Sequence, residues 1–318
     1  MEYDSQIVGL AARSDTQPIA AEVDYDTAMK PKRRTPAPLA EIAEVDVQPL
    51  LTTPIVSVRD VLCRGTCRHK SVEECASATH LVFPYRGVYV RHLGHDAAVA
   101  EASQVLFFNS GDSYHVSHPV RGGDACLDLV VDETLMWELA PQGLLRQGGA
   151  LAFRKQRLQI DPRTQALVAL LRHSLREDIA ELLEAESLAL TLVRRALAVR
   201  AMPARRAASV GRQRLVDRVK LVLASDLSRR WTLAEIAAEV GGSAVYLTQV
   251  FQQVEGVPLY RYQLRLRLAR ALDLLAQYDD LSRLSADLGF SSHSHFSAAF
   301  QRTYGRSPSE FRQSALHR

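Results

Sequence analysis

At 318 residues the chain is long for one average domain and suits two, with a tail or linker to spare. A content of 47% hydrophobic and 24% charged residues excludes a chain too polar to bury a core. No apolar run approaches the roughly 18 residues that span a bilayer, which excludes a helical membrane protein. The net charge of +3 hides a division, because Arg205 to Arg318 holds 17 Lys and Arg against 10 Asp and Glu, a net +7, and the remainder is −4. That asymmetry points to a basic, anion-binding domain joined to a mildly acidic one.

The acidic start Met1-Glu2-Tyr3-Asp4 lacks the basic-then-apolar layout of a signal peptide, so the reading is a cytoplasmic protein with reduced cysteines. Residues 1–50 show no stable period. They contain Lys30-Pro31-Lys32-Arg33-Arg34-Thr35-Pro36-Ala37-Pro38, in which prolines and like charges oppose helix and sheet; a mobile tail is expected. From Pro54 to about Asp132 short β-branched or aromatic runs alternate with turn residues. Examples are Ile55-Val56-Ser57-Val58, Leu81-Val82-Phe83, Val105-Leu106-Phe107-Phe108 and Leu127-Asp128-Leu129-Val130-Val131, with Asn109-Ser110-Gly111-Asp112 as a turn. This pattern predicts a β-sandwich or barrel over 51–160.

The period changes at Asp161-Pro162, a cap followed by proline at the first helical position. Leu167, Leu170, Leu171 and Leu175 recur at helical spacing, and a second helix, Ala185 to Arg200, aligns Leu188, Leu192, Val193 and Ala196. These helices, over 161–204, either cover the sheet or pair with a second subunit, or both. A linker is read at Met202–Gly211.

Residues 205–318 contain a repeat. Leu233, Ile236, Ala237, Val240 and Gly241 match Leu281, Leu284, Ser285, Leu288 and Gly289, all 48 residues on. After one extra residue, Ser243, Leu247, Phe251 and Gly256 match Ser292, Phe296, Phe300 and Gly305 at 49. Each feature suits a helix-turn-helix unit. A small residue permits helices to cross, a glycine ends the first helix in a left-handed cap, and a serine caps the second with its N-terminus toward phosphates. Pro258 to Asp280 reads as one long helix between the units, with Tyr262, Leu266, Ala269 and Leu272 or Leu275 inward and Arg261 and Arg265 outward.

Residues Arg212 to Arg312 resemble the DNA-binding domain of the AraC/XylS-type transcription regulators. The diagnostic string runs from Asp287-Leu288-Gly289-Phe290-Ser291-Ser292 through His295-Phe296 and Phe300-Gln301-Arg302 to Tyr304-Gly305-Arg306-Ser307-Pro308. The resemblance implies two recognition helices in successive major-groove segments, joined by the long helix. By position it assigns base reading to Ala244, Val245, Thr248 and Gln249 in the first helix, and to His293, Ser294, Ser297 and Ala298 in the second. Gln249 suits adenine, the Thr248 methyl suits thymine, and His293 suits a base edge or phosphate. Ala298 stands where the family often has a basic residue, which weakens direct readout by the second unit. Ser243, Ser292, Arg302, Arg306 and Arg312 are assigned to phosphates.

The same resemblance implies an N-terminal cupin-like domain that binds a small-molecule effector and helps the chain form a homodimer, with double-stranded DNA and RNA polymerase as further partners and no membrane. The expected fold class is α+β, with no catalytic residue. Gly111-Asp112-Ser113-Tyr114-His115 resembles a cupin string without its proline, but His92, His95, His115 and His118 lack a clear HxH with a spaced Glu. A cupin-type metal-dependent enzyme fused to a DNA reader is the alternative. Cys63, Cys67, Cys75 and Cys126 all fall in the β-domain with His69 close by. They read as core or surface cysteines, as a zinc site without the usual CxxC spacing, or as a thiol sensor beside Arg64 and Arg68.

Overall fold

The computed structural model describes residues 45–64, 68–198 and 208–315. The expected tail up to position 44, most of the linker and Cys67 lie outside the described residues. Among the described residues ten strands form two antiparallel sheets. They are β1 Val45–Thr52, β2 Val56–Cys63, β3 Glu74–Cys75, β4 His80–Arg86, β5 Tyr89–Leu93, β6 Asp96–Ala100, β7 Gln104–Phe108, β8 Ser113–Ser117, β9 Asp124–Val131 and β10 Arg157–Gln159. The larger sheet has the order β1-β2-β9-β4-β7-β10 and the smaller β3-β8-β5-β6. β1 starts inside the stretch expected to be a tail. It is an edge strand exposed along most of its length, so its sequence lacks the alternation that betrays a buried strand.

Strand parity explains the layering. On β9, Ala125, Leu127, Leu129 and Val131 face one way and share a core with Val168, Leu171, Leu192 and Val193 of two helices. Cys126 faces the other way and joins Leu106, Phe108, Tyr89 and Ala100 between the sheets. The larger sheet is therefore covered on both faces, by helices α1 Glu133–Leu139, α2 Pro162–Arg176 and α3 Leu182–Leu197 on one and by the smaller sheet on the other. Asp161 caps α2 as its sequence predicts, accepting from Thr164 N at 2.7 Å. Of the two roles expected for the leucine stripe, covering the sheet is the one seen within this chain. Leu192 and Val193 are 0% exposed in its core, and each such side chain contributes about 1.5–3 kcal/mol of burial.

The C-terminal region is all helical: α4 Val210–Ser225, α5 Leu233–Val240, α6 Ala244–Glu255, α7 Leu259–Leu274, α8 Leu281–Asp287, α9 His293–Tyr304 and α10 Pro308–Ala315. The chain is thus mixed α+β, sheet-rich in its first half and helical in its last third. Two cores divide the helices. Leu215, Val219, Ile236, Leu247 and Phe251 close the first, and Leu284, Leu288, Phe296, Phe300 and Phe311 the second. α7 serves both, placing Leu259, Tyr262 and Leu266 in the first and Leu268, Ala271 and Leu272 in the second. It ends at Leu274 rather than near Asp280. Asp280 is taken up as the cap of α8, where its side chain accepts from Ser282 N, and the carbonyls of Tyr278 and Asp279 accept from Arg312.

Candidate nucleic-acid interface

Each unit starts and ends its second helix in the same way. Thr232 and Glu235 form a capping box at the start of α5, with Glu235 N donating to Thr232 Oγ1 and Thr232 N donating to Glu235 Oε2. The turn then passes through Gly241 at φ +75°. Its ψ of 138° makes this an extended positive-φ turn rather than the left-handed cap expected. Ser243 Oγ accepts from Tyr246 N at 3.2 Å and so starts α6; Ser292 Oγ accepts from His295 N at 3.1 Å and starts α9. Both helices end at a glycine in the left-handed region, Gly256 and Gly305. Leu247 and Phe251 anchor α6, and Phe296 and Phe300 anchor α9, all at 1% exposure or less.

What these anchors leave outward is the predicted reading face. Val245 and Gln249 are exposed on α6, and Ala244 and Thr248 are half-buried beside them. The Thr248 hydroxyl donates to Ala244 O and Val245 O within its own helix, which leaves the methyl for apolar contact. On α9 His293, Ser294 and Ala298 are exposed, and Ser297 is half-buried with its Oγ 3.4 Å from His293 Nε2. Tyr246, 47% exposed in the first turn of α6, joins this face without having been assigned to it from sequence. The signal was present as an aromatic residue off the Leu247–Val250–Phe251 stripe. Arg302 and Arg306 are exposed at and beyond the end of α9. Arg312, expected at a phosphate, is half-buried and commits Nη1 to the carbonyls of Tyr278 and Asp279, where it fixes the end of the linker helix.

The two helical units are tied together. Arg267 of α7 donates to the carbonyls of Leu227, Ser228 and Arg229 before the first unit and of Gly289 in the turn of the second. Gly289 has φ +76°, and a Cβ there would sit 2.1 Å from Ser228 O. Only a bare glycine permits this approach. Sequence reading assigned Gly289 to a helix cap and overlooked Arg267, because neither is distinctive until the chain folds back.

The same helix is tied to the β-domain by an ionic network. Asp273 of α7, buried, accepts from Arg86 Nε at 2.9 Å, Arg172 Nη1 at 2.8 Å and Arg270 Nη1. Arg172 continues to Asp60 of β2, which also holds Arg176 and accepts from Tyr85 Oη at 2.6 Å. Burial pushes the Tyr85 hydroxyl far above its ordinary range, so it remains a donor at neutral pH.

Inside the β-domain, Cys75 is exposed on the smaller sheet and Cys126 is buried between sheets, where burial pushes its thiol well up and disfavours the thiolate. His69 is exposed. These residues and Cys63 do not gather into one site. Among the described residues the cluster of metal-ligand type is Cys63, His118 and Asp124 instead. Of the other cupin-type histidines, His92 lies 2.9 Å from Ser117 Oγ and is held near a pKa of about 4 by burial, His115 Nδ1 lies 2.9 Å from Ser71 O, and His95 is exposed.

Comparison with known proteins finds the helix-turn-helix domain family over residues 236–314. The chain is 35% identical over 136 residues to the HTH-type transcriptional activator RhaR of Klebsiella pneumoniae, spanning 42% of this chain and 46% of that protein. It is 29% identical over 168 residues to the probable transcriptional regulator LumQ of Photobacterium leiognathi, spanning 50% and 63%. The chain thus spans less than two thirds of these curated relatives. Among solved structures it matches a transcriptional regulator of Chromobacterium violaceum, described as AraC-type and DNA-binding, at 30% identity over 33% of this chain and 94% of that one, with a TM-score of 0.31. ToxT of Vibrio cholerae matches at 14% identity over 81% of this chain and 97% of its own, with a TM-score of 0.34.

Proposed function

We propose that the chain is a sequence-specific transcription regulator whose C-terminal region, matched by the helix-turn-helix domain family over residues 236–314, is a DNA-binding domain of the AraC type. The observation that carries the proposal is the pair of equivalent outward faces on α6 and α9, held in fixed relation by Arg267 and Gly289. A rigid pair of this kind suits two successive segments of one major groove. Gln249 reads a base, Thr248 and Val245 offer apolar contact, and Arg302 and Arg306 position the duplex. The test is selection of sites from random duplex by the full chain. Enrichment of a site with two conserved segments is expected, and Gln249→Ala should relax one position in one of them by about 1–3 kcal/mol. Absence of any enriched sequence refutes the reading.

The β-domain is the regulatory half in this proposal, since the Asp273 network makes its sheet and α2 direct neighbours of the helix between the reading units. A buried cation offers a place for an effector. Arg91 is 0% exposed, lies 3.8 Å over the Phe108 ring, donates Nη1 to Phe107 O, and leaves Nε and Nη2 without hydrogen-bond partners among the described residues. Two parallel N–H donors of this kind suit a carboxylate. A panel of small carboxylates screened for an effect on operator affinity, lost in Arg91→Met, checks this. A second copy remains a proposed partner through Leu182 and Leu183, 61% and 74% exposed at the start of α3, and sedimentation of the double Asp variant decides it.

A further inference from the structure

Cys63, His118 and Asp124 each bring one donor atom to a point where all three lie within 4.8 Å of one another. Their arrival is dictated by register. Cys63 is the last residue of β2 and pairs directly with Asp124, the first residue of β9. His118 follows β8 of the opposite sheet. The ladder end is held close by Gly123, at φ +68°, where a Cβ would lie 2.2 Å from Cys63 O. The three side chains therefore bridge the two sheets at one end of the sandwich. All are buried, with Cys63, His118 and Asp124 at 8%, 6% and 7% exposure.

The three side chains partner one another and leave one ring nitrogen over. Asp124 Oδ2 pairs with His118 Nε2 at 2.8 Å and Cys63 is a second side-chain partner of that ring, while His118 Nδ1 makes no well-aligned hydrogen bond among the described residues. Buried polar atoms left so are costly. Sulfur, imidazole nitrogen and carboxylate oxygen converging on one point are the donor types of a zinc site. With the thiol deprotonated, the two anionic ligands would neutralise a divalent ion, which removes the charge penalty of the buried position.

We propose that Cys63, His118 and Asp124 bind one divalent transition-metal ion of the zinc class and staple the two sheets of the β-domain. Three protein ligands leave the fourth tetrahedral position for water or an exogenous ligand. The site stands independently of the DNA reading.

The experiment uses the full chain, reduced and stripped with chelator, titrated with Co²⁺ as a spectroscopic probe and back-titrated with Zn²⁺. The expected result is one equivalent per chain, a thiolate-to-cobalt charge-transfer band, displacement by Zn²⁺, and a rise in melting temperature on loading. Cys63→Ser should abolish the band. His118→Gln and Asp124→Asn should weaken affinity by more than about 100-fold, beyond the cost of losing an outer-shell partner. Cys75→Ser and Cys126→Ser should leave band and stoichiometry unchanged. Wild-type protein with no thiolate band, less than about a tenth of an equivalent bound and no melting shift overturns the proposal whatever the variants do. A band that survives Cys63→Ser overturns it equally.

Discussion

Replacing Asp273 by asparagine would remove a carboxylate on which Arg86, Arg172 and Arg270 converge. The Asp273 side chain is 1% exposed and that of Arg172 10%, so solvent cannot replace the lost charge there. Asp60 remains as the partner of Arg172 and Arg176, but it cannot also reach for Arg86 and Arg270, which are bonded on the α7 side. Breaking a buried ion pair from one side costs about 3–5 kcal/mol, because the surviving charge is stranded. The more exposed Arg86 and Arg270 recover part of their hydration, which favours the lower end, about 3 kcal/mol. At roughly 2–4 °C per kcal/mol for a chain of this size, the melting temperature should fall by about 6–12 °C. Calorimetry of wild type and variant is the assay, and the variant should in addition show the β-domain and the helical region melting apart. A single transition shifted by less than about 2 °C would refute the view that this network couples the two halves.

Gly289→Ala should destabilise more than Gly241→Ala. Both glycines have positive φ, worth about 1–2 kcal/mol for a side chain, but only at Gly289 would the new Cβ strike a backbone oxygen, Ser228 O at 2.1 Å. Equal denaturation midpoints for the two variants would contradict the lock between the units. Glu235 is held down at about 2 by the Thr232 backbone N–H, then by Arg229 and the Thr232 hydroxyl. Its folded pKa lies below its unfolded value of about 4.3, so its contribution is present above pH 4.3 and fades as pH falls toward 2. The stability difference between wild type and Glu235→Gln should shrink across that window in acid titrations of melting. Arg302→Ala should weaken binding to specific and random duplex alike and reduce the salt slope by about 1, without altering the selected sequence.

The C-terminal region was legible because it is written twice: Leu247 and Phe251 recur as Phe296 and Phe300, each pair preceded by a capping serine. Such local signals act within one or two helical turns, so a linear reading reaches them. The β-strands were legible where a buried face imposes alternation, as on β2, and not where an exposed edge relaxes it, as on β1. The leucines of α3 were seen but their partner was left open between the sheet and a second copy, since periodicity shows that a face is buried and not what buries it. Arg267, Asp273 and the Cys63–His118–Asp124 cluster depend on contacts far apart along the chain. Cys63 meets Asp124 only through the register of an antiparallel ladder, and nothing in the spacing of the cysteines foretells that pairing.

The central claim is that one chain reads two adjacent major-groove segments with two helices fixed to each other. Hydroxyl-radical footprinting of the full chain on a selected site tests it most directly, combined with affinity measured across salt concentrations. Two protected segments about one helical turn apart on one face of the duplex are predicted, with log K falling against log salt at a slope near −5 for about six phosphate contacts. Gln249→Ala should loosen protection in one segment, and Ser294→Ala should loosen it in the other. A single protected segment, or protection that does not depend on sequence, would contradict the account.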